Sequence, residues 1–216
     1  ADANPDKVEA IKLLGGNPVF YGDDFDDSRE HAEFLSKEEG CRYVHSANEP
    51  MLIAGVGTYS LEIIEDLPDV DVIIVPIGGG SGACGACIVA KAVDPEKQII
   101  GVGAANAPAA YLSWHQRRII ESKMETMAEG LGTRVGFELT QGILQEQLDD
   151  FVLVSEDELS RAVALHLENT HNITEHAGAA SLAAALKIRD HLSGKKVAIV
   201  ASGGNITLEQ LKTVLK

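Results

Sequence analysis

Residues 72–77, VIIVPI, run without a spacer into the glycine loop GGGSG of residues 78–82, and this junction restricts the fold more than any other stretch. The apolar run is too short for a helix and offers water no polar face. It therefore reads as a strand buried on both sides, as strands are in a parallel sheet covered by helices. A second strand of this kind, Lys196–Ala201, ends in another glycine-bearing loop, Ser202-Gly-Gly-Asn205. In open parallel sheets, ligands bind beyond the carboxyl ends of the strands. The two loops are thus expected to face one crevice.

The segments between these strands carry helix signals. Asn4-Pro5 opens a helix that Gly15-Gly16 stops, and an acidic helix ends at Gly40. Further helices are expected near Thr58–Asp66, from the glycine loop to about Ala92, at Ala107–Gln116, Phe137–Leu148 and Ile173–Leu192. Ser155-Glu-Asp-Glu158 and Thr207-Leu-Glu-Gln210 spell capping boxes, the first opening a helix to Glu168. Strands are expected at Pro18–Tyr21, Arg42–His45, Asp71–Pro76, Gln98–Val102 and Phe151–Val154 as well. Strand–helix alternation predicts an α/β fold, three αβα layers around a mostly parallel sheet. Residues 47–216 form its large domain, and residues 1–46 read as β/α pieces of a smaller one.

Composition narrows the function classes. The 216-residue chain has a formal charge of −15, which argues against nucleic acid or an anionic membrane as a partner. Three cysteines make no disulfide framework, which points to a reducing, cytoplasmic setting. No apolar run approaches the length of a membrane helix.

Successive glycines let several N–H groups turn toward one anion, and a helix starting near Gly82 adds its positive dipole end. The loop is read as a phosphate cup in preference to a bare strand-to-helix turn. Gly80-Ser-Gly82-Ala-Cys-Gly85 also fits the dinucleotide fingerprint, but the next strand ends Gly101-Val-Gly103-Ala-Ala-Asn106 without the acid that would hold a ribose. Cys84-Gly-Ala-Cys87 offers two metal ligands where a structural zinc site needs four. Tight helix packing is the simpler role, with a low-pKa thiol at the helix start as the alternative. Histidines 166, 171 and 176 do not match a zinc-binding spacing, and no metal site is expected.

Taken together, several ordered motifs resemble the serine/threonine dehydratases, pyridoxal-phosphate enzymes of fold type II. ANPDKVEAIKLLGG resembles ANPxKVEAIRxLGA, IAGVGT (53–58) resembles IAGQGT, and VPIGGGSGACG resembles VPVGGGGLxSG. Met127-Ala-Glu-Gly130 is similar to the ADG/AEG loop, Thr174-Glu-His-Ala-Gly178-Ala-Ala to VEPAGAA, and Ser202-Gly-Gly-Asn205 to SGGN. The resemblance implies pyridoxal 5′-phosphate as cofactor, its phosphate held by backbone N–H groups of Gly78, Gly79, Gly80 and Ser81 with the helix start at Gly82. Ser202 would hydrogen-bond the pyridine nitrogen, Glu175 would lie near the ring, and Gly130 would pass its backbone close by. The implied reaction converts a β-hydroxy amino acid to a 2-keto acid and ammonia in a homo-oligomeric enzyme.

Two departures qualify that expectation. Ser81 stands where the family has a fourth glycine, and the segment GVGAANAPAAY lacks the acids of the activating-metal site found in some relatives. The family's Schiff-base lysine segment and its substrate-carboxylate loop do not occur in these residues. The chain therefore reads as N-terminally truncated and inactive as it stands. The alternatives are a naturally short, non-catalytic homologue and a serine-racemase or β-replacement relative.

Overall fold

The computed structural model describes residues 3–216, and the chain divides into two units. One runs up to Val44 and takes in Asn205–Lys216; the other is His45–Gly204. The first unit opens with α1 (Pro5–Leu13) and α2 (Phe25–Glu39). The second holds α3 (Pro50–Val56), α4 (Thr58–Asp66), β1 (Val72–Pro76), α5 (Ser81–Val93), β2 (Gln98–Ala104) and α6 (Ala109–Gln116). It continues with α7 (Glu138–Gln147), β3 (Asp150–Val154), α8 (Glu156–Thr170), α9 (His176–Lys187) and β4 (Val197–Ile199), and α10 (Leu208–Val214) returns to the first unit.

Local chemistry sets the first unit's helices. The Asn4 side chain accepts the Asp6 N–H at 2.9 Å with Pro5 at the first turn, and Asp24 accepts the Asp27 N–H at 2.9 Å. Gly40 ends α2 in the left-handed conformation. The Asn4 amide donates to the Asn205 carbonyl at 3.0 Å, which ties the start of α1 to the approach to α10. The strands expected at Pro18–Tyr21 and Arg42–His45 do not form. Neither finds a ladder partner among the described residues, and Val19, Phe20, Tyr21 and Val44 lie exposed. His45 is instead held in a turn by its own side chain.

In the second unit the four strands form an all-parallel sheet in the order β3-β2-β1-β4, with Ile73 opposite Ile99 on one side and Ala198 on the other. The apolar run is buried on both faces, as its composition requires: Val72, Ile73, Ile74 and Val75 are all within 2% of full burial. Ile73, Val75 and Ile77 join the cluster built around Ala83, Cys84, Ala86 and Cys87 of α5. Val72 and Ile74 are equally buried outside that cluster, so strand alternation points them to the opposite face. The α9 helix packs on β1, β2 and β3, and α8 packs on α9, completing three layers.

The largest departures from the sequence expectation lie in α9, the last strand and an added helix. The α9 helix starts at His176, not Ile173, because Glu175 is extended and donates its N–H to the Gly203 carbonyl at 3.0 Å. It ends at Lys187, where Ile188 caps it before a turn-rich stretch that includes Gly194 at φ +78°. The last strand is paired only over Val197–Ile199, and α3 is a helix the sequence did not announce.

Strand order locates the crevice. From β1 the chain moves through β2 to β3, whereas β4 lies on β1's other side. The β1–β4 boundary is therefore where the strand order reverses, the kind of point at which open parallel sheets bind ligands beyond their carboxyl ends.

Candidate functional site

Both glycine loops stand at that point. Gly80 takes φ +94°, so the loop turns into α5 at a position that only glycine fills without strain. The helix then starts at Ser81 with no side-chain cap and no acidic residue in its first turn. Among the described residues no protein acceptor takes the N–H groups of Gly78 to Ala83, the next N–H being that of Cys84, donated to the Gly80 carbonyl at 2.9 Å. Uncapped N–H groups at a positive helix end form a site for an anion.

Close packing fixes the loop. A Cβ at Gly78 would stand 2.1 Å from the Gly130 carbonyl oxygen, and one at Gly79 would stand 2.7 Å from the Cβ of Ala47. Thr140 donates its hydroxyl to the Gly79 carbonyl at 2.8 Å from beneath. A Cβ at Gly82 would meet nothing within 4 Å, so the first turn of α5 is open on that side.

The remaining segments meet at short range. A Cβ at Gly130 would lie 2.9 Å from the Cβ of Ala177 and 4.0 Å from Glu175 Oε1. One at Gly203 would lie 2.6 Å from the same Glu175 oxygen, and one at Gly178 only 2.2 Å from the Gly203 carbonyl. Gly78, Gly130 and Glu175 are thus brought together directly, and Ser202 flanks them as Gly203's neighbour. Ser202 is exposed just past β4. Sequence reasoning missed Ala47, Phe137 and Thr140. Each is an unremarkable apolar or hydroxyl residue that reaches Gly79 or Gly80 only through tertiary packing.

The cysteines belong to the packing beneath the loop. Both Cys84 and Cys87 are fully buried, and Cys84 Sγ lies 3.4 Å from the Thr140 carbonyl. Burial pushes the Cys87 thiol up to about 12 and the Cys84 thiol higher still, which overturns the low-pKa alternative. Gly85 brings α5 against Gly57, where a Cβ would stand 2.8 Å from the Gly57 Cα.

Five of this unit's lysines are engaged away from the loop. Lys91, at the far end of α5, pairs with Asp149, and Lys97 donates to the Pro68 and Val70 carbonyls. Lys187 pairs with Glu158, Lys195 donates to Gln98, and Lys196 pairs with Asp69. The sixth, Lys123, is exposed between α6 and α7.

The family profile described as pyridoxal-phosphate dependent enzyme matches residues 1–203. The chain belongs to that family. Within the pyridoxal-phosphate enzymes it is similar to the threonine dehydratases. It is 37% identical to an L-threonine ammonia-lyase of Thermotoga maritima over 97% of its own length and 52% of that protein's. It is 35% identical to a catabolic L-threonine dehydratase of Escherichia coli, covering 96% and 64%. Among solved structures, processed threonine deaminase isoform 2 of Solanum lycopersicum superposes with a TM-score of 0.90 at 32% identity, over 97% of this chain and 62% of that one. Maize serine racemase gives 0.89 at 30% identity, over 99% and 67%. The chain spans about half the length of the first curated relatives it matches.

Proposed function

We propose that this chain forms the phosphate-binding and ring-binding part of a threonine or serine dehydratase site for pyridoxal 5′-phosphate. The observation that carries the reading is the run of N–H groups from Gly78 to Ala83 with no protein acceptor, at an uncapped helix start free of carboxylates. A phosphate dianion suits such a cup, and a side chain at Gly78 or Gly79 would collide with the walls that shape it. Gly80 and Ser81 direct their N–H groups to the phosphate, and Gly82 leaves room for it. Gly130 and Glu175 line the ring's surroundings, and Ser202 meets the pyridine nitrogen with a neutral hydroxyl.

When bound, the cofactor supplies the electron sink that labilises bonds at the substrate's α-carbon. A hydroxyl at the ring nitrogen does not hold a proton there as a carboxylate would. This tempers the sink and favours prompt loss of a β-hydroxyl, hence a β-hydroxy amino acid as substrate and a 2-keto acid with ammonia as products. The reaction also needs an amine to capture the cofactor, and five of the sheet unit's six lysines are engaged elsewhere. None of the chain's lysines sits in a segment like the family's Schiff-base motif, so the 216 residues alone are expected to bind the cofactor reversibly and to turn over no substrate. Likeness to maize serine racemase supports a second reading, a racemase parent.

The test is a titration with pyridoxal 5′-phosphate and with pyridoxal, followed by borohydride and mass mapping. Preference for the phosphorylated form, its loss in Gly78→Ala, and no adduct concentrated on one lysine are expected. A single specifically trapped lysine overturns the claim of reversible binding, and equal affinity for the two compounds overturns the phosphate cup. Product analysis on a protein of the relatives' full length separates the parents, since lasting D-serine without keto acid means a racemase.

A further inference from the structure

The residues that wall the cup on its Gly79 side carry an assignment of their own. His45 opens the sheet-bearing unit, and its Nδ1 accepts two backbone N–H groups, those of Ala47 and Asn48, each at 2.9 Å. The chain fixes the direction of both N–H bonds, so the ring atom facing them must offer a lone pair. That atom is nitrogen, not carbon, and it is unprotonated, which places a neutral ring's proton on Nε2. The same ring stands edge-on to Phe137, with centroids 4.8 Å apart and planes at 78°.

Both neighbours of the ring border the cup. Ala47 is 0% exposed and would stand 2.7 Å from a Cβ at Gly79; the Phe137 ring would stand 3.4 Å from it. The same turn presents the Ser46 carbonyl to the Ser81 hydroxyl at 3.5 Å. This gives the serine at the family's fourth-glycine position a direction: its hydroxyl faces the turn, and its N–H stays with the loop.

We propose that His45 is a positioning residue for the phosphate cup, acting through Ala47 and Phe137. The inference rests on the reading of the loop as a phosphate site. Two N–H bonds from consecutive turn residues hold Ala47 against Gly79, and the ring braces Phe137 behind it. Without the Nδ1 acceptor the turn opens, Ala47 withdraws, and the N–H groups of Gly79 to Ser81 lose their fixed aim.

The experiment uses the whole chain with pyridoxal 5′-phosphate and pyridoxal as probes. The ratio of their affinities isolates what the cup contributes. His45→Phe keeps a ring against Phe137 but removes the lone pair, whereas His45→Asn supplies an oxygen that accepts from backbone N–H groups a few residues on. His45→Phe should lower the phosphate preference about tenfold, the scale of losing one lone pair that two N–H groups share, and leave pyridoxal affinity unchanged; His45→Asn should restore most of it. An unchanged preference in His45→Phe overturns the proposal. Nitrogen-15 spectra of the wild-type ring give a readout independent of ligand and of variant folding, and a proton found on Nδ1 also overturns it. If wild type itself does not prefer the phosphorylated probe, the cofactor reading fails. The positioning role is then decided by the ring spectrum and by amide exchange at Ala47 and Gly79, which should quicken in His45→Phe.

Discussion

The two units of this chain meet the same folding problem with different means. In His45–Gly204 the sheet's strands are apolar on both faces, and residues such as Ile73, Ile99 and Leu144 are wholly buried. The helices of the other unit bury almost nothing: α1 and α10 have no buried residue, and α2 has only Asp26. That unit exposes Leu13, Leu14, Phe20 and Phe34, and its helices rest on caps and short-range ion pairs such as Lys12–Glu9 and Arg29–Glu33. Caps and exposed pairs contribute about 1 kcal/mol or less each, whereas one buried aliphatic side chain contributes about 1.5–3 kcal/mol. Cooperative stability should therefore reside in the sheet unit, which also carries the candidate site.

Thiol chemistry tests this contrast most sharply. Cys41 is exposed in the first unit, and Cys84 and Cys87 are buried in the second. A thiol reagent added to native chain should modify Cys41 at once and the other two only through opening of the sheet unit. That is slower by at least about a thousandfold for a domain of ordinary stability. Release of three equivalents in one fast phase would mean that the sheet unit has no stable core.

Truncating one apolar residue in each unit should give the next largest difference. Ile73→Ala removes a fully buried side chain from the central strand and should cost about 2–5 kcal/mol in urea unfolding. Leu14→Ala removes one that is 89% exposed and should stay within about 0.5 kcal/mol. Comparable losses at both positions would show that the first unit is stabilised by burial after all.

The contrast also explains what was legible in the sequence. The parallel sheet, the capping boxes at Ser155 and Thr207 and the placing of both glycine loops beyond the carboxyl ends of β1 and β4 could be read because each rests on local composition and spacing. The strands expected at Pro18–Tyr21 and Arg42–His45 failed for the opposite reason. Their β-forming residues need a ladder partner, which no local pattern supplies. The same limit applies in the site. Runs of glycine marked the loop, but Ala47, Phe137 and Thr140, which pack against it, come from segments far along the chain and carry no signature of their own. The three residues expected before His176 in α9 were lost because the Glu175 N–H serves the Gly203 carbonyl, a long-range bond that periodicity does not reveal.

Acid sensitivity provides the finest test of where stability resides. Burial lowers the pKa of His166 and His176 from the usual histidine value, with Glu156 partly opposing the shift at His176. The unfolded chain takes up these protons from about pH 6.5 downward, whereas the folded unit resists until lower pH. The stability that comes from keeping both rings neutral is therefore complete above about pH 6.5 and is lost as pH falls toward their folded values. Most carboxylates titrate nearer pH 4, so the interval from pH 7 to pH 5 emphasises histidine. The urea midpoint of the sheet unit should fall between those two values, and the double variant His166→Gln/His176→Gln should flatten the slope. Both histidines lie in the sheet unit, so the loss should appear in the slow release of Cys84 and Cys87 and leave the rapid reaction of Cys41 outside it. A midpoint that rises on acidification would mean that these rings bind protons more tightly folded than unfolded, against the burial that surrounds them.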